Sequence, residues 1–97
     1  MNGTDMLITA TEGGINHWAT IDKYPAETNG TRYATVTDNY DGTQYKVTAA
    51  GMTAAAKDVL KMYPNTQGAE AIRNDDIDAE AADMIFQVAA LSTIVYG

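Results

Sequence analysis

Between Thr48 and Ala49 the spacing of the apolar residues changes, and this change constrains the fold more than any other feature of the chain. Before it, Tyr45 and Val47 alternate with Gln44, Lys46 and Thr48, the two-residue period of a strand with one buried face. After it, Met52, Ala56, Val59 and Tyr63 recur at helical spacing, with Lys57, Asp58 and Lys61 elsewhere, until Pro64 ends the run. A chain of 97 residues lacks the length for two cores, so both periods must belong to one domain, residues 1–97, with helices packed on a sheet. With 45% apolar residues it has the material for that core. Without cysteine it has neither disulfides nor a thiolate metal site nor a cysteine nucleophile.

The remaining segments extend the pattern. Met6, Leu7 and Ala10 lie on one helical face of Asp5 to Glu12, and the Gly13-Gly14 pair is a stop signal, which predicts a short first helix. Ile15 to Tyr24 and Arg32 to Thr37 have strand composition around Pro25 and the Asn29-Gly30 turn signal. Asp38 to Gly42 forms a second turn before Thr43 to Thr48. These three segments predict an antiparallel meander. A helix follows over Ala49 to Tyr63, then a connector, Asn65 to Asn74, with room for one helical turn, then a helix from caps at Asp75–Asp78 to about Val95. The expected architecture is α+β: a short N-terminal helix, a three-stranded β-meander and two C-terminal helices packed on one sheet face.

The last helix carries a stripe of Ile77, Ala81, Met84, Ile85, Val88, Leu91, Ser92 and Val95, while Phe86 and Ile94 project to the other side. A helix apolar on both sides is either sandwiched in the core or forms an interface. Under the second reading Phe86 and Ile94 pair with a second copy in a homodimer.

The formal charge is −7, and −5 of it falls within residues 70–83, where Glu70, Asp75, Asp76, Asp78, Glu80 and Asp83 face only Arg73. With so few basic residues the chain lacks the electrostatic grip that direct nucleic-acid binding needs. Helix capping and the macrodipole account for acids at a helix start, at about 0.3–1 kcal/mol each. Asp83 lies beyond the first turn. With Asp76 and Glu80 it makes a row at i, i+4 and i+7, about 120° from the apolar stripe, which predicts a negative docking face supported by Asp75 and Asp78. Trp18 offers a second surface if it points to the open side of the sheet, and a core anchor if it does not.

No chemistry converges. His17 is the only histidine and Ser92 the only serine, and Ser92 belongs to the apolar stripe, so a Ser-His-Asp arrangement is not expected. Zinc chemistry needs more His or Cys ligands than the chain has. Aligning Gly42 with a calcium-loop glycine puts Thr37 and Thr48 where the anchoring carboxylates belong, so Asp38 to Gly42 reads as a hairpin turn. Glu12-Gly13-Gly14 follows a helix rather than a strand and reads as a helix stop, not a phosphate loop. Asn2-Gly3-Thr4 and Asn29-Gly30-Thr31 fit turns, since Met1 to Thr11 carries no export-signal pattern. No cofactor, metal or enzymatic activity is expected, and no membrane-spanning stretch is present.

Glu12-Gly13-Gly14, Trp18, the run Asp78-Ala79-Glu80-Ala81-Ala82-Asp83, Gln87 and Ile94-Val95-Tyr96-Gly97 resemble a group of small uncharacterised bacterial and phage proteins. That group combines an early E-G-G-x-x-x-W with a terminal D-A-E-x-A-D, a glutamine and I-V-Y-G. The resemblance covers both ends and leaves the strands and the middle helix unmatched. It implies a phage or mobile-element accessory protein in a host bacterial cytoplasm. With the acidic composition, the expectation is a non-enzymatic protein-binding module, an inhibitor of a host defence or nucleic-acid-handling complex of the anti-CRISPR or anti-restriction type. It would act by surface occlusion or nucleic-acid mimicry, its partner a host protein or nucleoprotein with a basic surface.

Overall fold

A computed structural model describes residues 2–97. Helix α1 (Gly3–Thr9) starts at Asn2, whose side chain accepts from the Asp5 backbone N–H at 2.8 Å. The helical run ends at the glycines, as expected, but not as a plain α-helix. It widens into a π-type turn, Ala10–Gly14, closed by Ile15 N–H donating to the Ala10 carbonyl at 3.0 Å. The sheet is an antiparallel meander in the order β1 (Ala19–Thr28), β2 (Thr31–Asp38), β3 (Gln44–Thr48). Pro25 is accommodated because β1 is an edge strand whose pairing with β2 is irregular between Lys23 and Ala26.

Three helices follow rather than two: α2 (Ala49–Met62), α3 (Gln67–Arg73) and α4 (Ala79–Leu91). Thr48 caps α2 by accepting from Gly51 N–H, Thr66 caps α3 through Ala69 N–H, and Asp78 caps α4 through Ala81 N–H. The α3 segment is the connector that composition left as a single turn. Pairing Ala34 with Val47 and Ile21 with Val36 sets the inner sheet face, and Ala19, Ala34, Val36 and Val47 are buried there. Leu7, Met52, Val59, Ile85 and Phe86 complete one core cluster with them. Each such fully buried large side chain contributes roughly 1.5–3 kcal/mol, and with no disulfide this burial holds the fold.

Helix α4 is sandwiched. It packs against α2, α1, the π-type turn, α3 and β3, and both of its apolar sides are covered. Phe86 is 0% exposed, so the expected homodimer pairing through it is corrected: the domain itself occupies its ring, while Ile94 is half-buried against the core. The helix also ends earlier than its apolar pattern suggests. Ser92 takes a left-handed conformation, φ 69°, and residues 93–97 fold back as a tail. Thr93, Ile94 and Val95 are β-branched, which weakens the helix where the apolar pattern continues.

Candidate functional site

The loop between the π-type turn and β1 meets the side of α4 at Asp83. Ile15 to Trp18 is a turn rather than part of the strand, with Trp18 N–H and Ala19 N–H both donating to the Ile15 carbonyl at 3.0 Å. The strand alternation therefore does not govern Trp18, and it is 0% exposed in the core beside Phe86, with ring centroids 6.1 Å apart. Trp18 is thus corrected from a candidate surface residue to a core residue.

Its indole N–H donates to Asp83 Oδ1 at 2.9 Å, and the Gln87 side-chain amide donates to the same oxygen at 3.0 Å. Asp83 Oδ2 lies 2.7 Å from His17 Nε2. Asp83 is buried, so it leaves the predicted row with Asp76 and Glu80. At 100° per residue Asp83 shares a side of the helix with Phe86 and Gln87, and that side faces the core. A buried carboxylate requires donors, and Trp18, Gln87 and His17 supply them.

Gln87 also holds the tail. Its Oε1 accepts from Val95 N–H at 2.9 Å and Tyr96 N–H at 2.8 Å, while its amide donates to the Tyr96 carbonyl at 2.9 Å. The Tyr96 ring stacks between Trp18 and Tyr40, with centroids 5.3 and 4.9 Å away. Its hydroxyl donates to Asp38 Oδ2 at 2.7 Å, and Asp38 is 1% exposed. Trp18 from the first fifth of the chain and Asp83, Gln87 and Tyr96 from its last fifth therefore form one connected unit.

The hydrogen bond to Asp38 and burial push the Tyr96 phenol up to about 12, whereas the Ile94 N–H and Thr93 hydroxyl pull Tyr63 down from its ordinary value. A raised Tyr96 contributes stability that is complete below pH 10 and is lost as pH rises towards 12, where the unfolded chain ionises first. Tyr96→Phe is expected to remove the last step of the alkaline phenolate titration followed at 295 nm. It should also flatten the fall in stability across that window.

In front of the unit lies a shallow cleft of about 400 Å³, lined by Gly13, Gly14, His17, Ala79, Glu80, Asp83 and Gly97. Gly14 sets its depth, since a Cβ there would sit 2.7 Å from the Ala79 carbonyl oxygen, whereas a Cβ at Gly13 would meet no atom within 4 Å. Gly14→Ala is expected to lose about 1–3 kcal/mol by forcing the turn off α4, and Gly13→Ala to change stability by less than about 0.5 kcal/mol. Chemical denaturation of the two variants measures the contrast.

The other predicted site residues stay at the surface. Asp75 sits in the α3–α4 turn with φ 52°. Asp76 donates its backbone N–H to the Ala71 carbonyl at 2.9 Å, and Asp78 is the α4 cap. Glu80 lies exposed in the first turn of α4. The fold adds a neighbour that sequence order hides: Asp5 of α1 and Asp75 line one groove with Ile77. Sequence reasoning noted Gln87 and Tyr96 only as part of the resemblance, gave them no site role, and set His17 aside. The available signal was the polar pair Asp83 and Gln87, one turn apart within an otherwise apolar run.

Among the described residues no group of three or more His, Cys, Asp or Glu is placed to hold a metal ion, and no helix is long and apolar enough to cross a membrane. Comparison with protein-family models, curated proteins and solved structures finds no match.

Proposed function

We propose that this is a non-enzymatic binding module that presents an acidic corner to a basic surface of a nucleic-acid-handling protein. In the setting the resemblance implies, it is a phage-encoded inhibitor of a host defence complex, working in the bacterial cytoplasm by occluding a site that nucleic acid would otherwise fill.

One observation carries this reading. Asp76, Asp78 and Glu80 stand exposed at one corner with no salt bridge to any described residue, and Asp5 approaches the same corner through its groove with Asp75. The cations lie elsewhere. Lys23 and Lys46 lie 5.0 and 4.5 Å from the Tyr33 ring centre on the sheet, and Arg32 pairs with Glu27. Lys57 and Lys61 are on α2, and Arg73 donates to the Pro64 carbonyl at 3.1 Å. Uncompensated charge on an exposed corner steers association with an opposite surface, and salt weakens it within a Debye length of about 10 Å at 0.1 M. Capping explains Asp78 and the macrodipole Glu80, but Asp76 precedes the helix and its carboxylate has no partner among the described residues.

The test is to add the purified protein to a panel of RNA-guided and restriction nucleases and follow DNA cleavage. Inhibition of at least one, weakening as salt rises from about 50 to about 300 mM and the Debye length shortens roughly 2.4-fold, supports the reading. Inhibition indifferent to salt, or none in any system, contradicts it.

A further inference from the structure

We propose that the cleft in front of Asp83 is the socket for one arginine side chain of the basic partner, an inference that rests on the acidic-corner reading and gives that corner a specific contact. The argument turns on His17. Asp83 Oδ2 is 2.7 Å from His17 Nε2, and Oδ1 is already shared by the Trp18 and Gln87 donors. An ionised carboxylate only accepts, so in the neutral imidazole Nε2 carries the hydrogen and Nδ1 is left with a bare lone pair. Nδ1 has no partner among the described residues, and the His17 side chain is 42% exposed at the cleft. Asp83, itself held by Trp18 and Gln87, thus orients a ring that half-faces solvent at the cleft.

The other charged group on the cleft is Glu80, exposed and without an ion pair among the described residues. The polar atoms left without a protein partner there, His17 Nδ1 and the Glu80 carboxylate, are acceptors. The N-terminus of α4 adds roughly half a positive charge, which the full charges of Asp78 and Glu80 outweigh. The occupant must therefore be a cation with several donors. Guanidinium is weakly hydrated and presents five N–H donors in a planar fork, able to reach a ring nitrogen and a carboxylate together, which a compact, strongly hydrated ammonium does less well.

Size and shape agree. The roughly 400 Å³ of space falls within the range of small-ligand sites, about 300–1,000 Å³, and its walls at Gly13, Gly14, Ala79 and Gly97 are small or lack a side chain. So shallow a cleft suits a side chain that arrives attached to a partner, whose own surface supplies the missing wall.

The experiment uses the full chain labelled with ¹⁵N, titrated with acetyl-Gly-Arg-Gly-amide and, in parallel, with the same peptide carrying citrulline, which keeps the shape and removes the charge. The arginine peptide is expected to give saturable shifts at the amides of Gly13, Gly14, His17 and Glu80, and the citrulline peptide to bind about tenfold more weakly or worse. A Cβ at Gly13 meets no atom within 4 Å and Gly13 lines the cleft, so Gly13→Phe should stay folded, with thermal unfolding close to the parent's, and abolish the shifts by crowding the cleft. Glu80→Gln, which keeps the side chain's shape and removes the exposed charge at the cleft, should weaken binding about tenfold. No saturable shifts, equal binding of the two peptides, or undiminished binding by folded Gly13→Phe would each overturn the socket. The two readings fail separately. If Gly13→Phe inhibits a sensitive nuclease as well as the parent protein does while charge reversal at Asp76 abolishes inhibition, the corner stands and the socket does not.

Discussion

Asp83→Ala is expected to lower the free energy of unfolding by about 3–5 kcal/mol, the scale of breaking a buried charge network from one side. The carboxylate satisfies the Trp18 indole N–H, one Gln87 amide donor and His17 Nε2, and its removal strands two donors in the interior at about 1–3 kcal/mol each. Gln87 is then held only by the tail, so the clamp on Val95 and Tyr96 loosens with it. A domain of this size has on the order of 5–15 kcal/mol in total, so the variant should sit near the edge of folding at 37 °C. Asp83→Asn keeps an acceptor for the indole and should lose less. Urea denaturation followed by Trp18 fluorescence gives the values directly, because this indole reports on the site itself. A loss below about 1 kcal/mol for the alanine variant would mean that Asp83 is an ordinary surface acid.

Phe86→Ala should be comparably severe, about 3–5 kcal/mol, for a different physical reason. The ring is 0% exposed, packs 6.1 Å from the Trp18 ring centre and lies in the core cluster with Ile85 and Met52. Truncation leaves a cavity between α4 and the Trp18 turn, which the sheet and α2 cannot both move to fill. Phe86→Glu should unfold the domain rather than split a dimer. Light scattering and circular dichroism together separate the two outcomes: a folded variant of halved mass would restore Phe86 to an interface.

Those two residues show where sequence patterning stops being informative. The strands, α2 and the cap at Asp78 follow from period and turn chemistry, because each is decided by neighbours within a few positions. Asp83 is decided by Trp18, 65 residues away, and no local rule anticipates a donor at that distance. Helical-wheel angles placed Ala81, Ile85 and Val88 on a buried stripe and Phe86 on a second apolar side, but carried the stripe on to Ser92 and Val95, which lie beyond the end of α4 and are exposed. The same limit applied at the end of the chain. Ile94, Val95 and Tyr96 continue an apolar pattern that fits a helix or a buried tail equally, and the tail wins because Gln87 and Tyr63 supply backbone hydrogen bonds to it. Trp18 was placed within the first strand, its face left open, when it belongs to the turn before the strand. Asp5 was overlooked as a member of the acidic corner because it enters from α1, far away in sequence.

The acidic run consequently divides into two parts with separate duties. Asp83 binds the ends of the chain together, and Asp76, Asp78 and Glu80 remain at the surface for a partner. The variant Asp76→Lys, Asp78→Asn, Glu80→Lys reverses the corner while keeping an N-cap side chain at position 78. Its inhibition of a sensitive nuclease, measured beside its thermal unfolding, tests this division most directly. The expected result is a folded protein, with a melting temperature a few degrees from the parent, that no longer inhibits. A folded variant that inhibits as well as the parent would contradict the account.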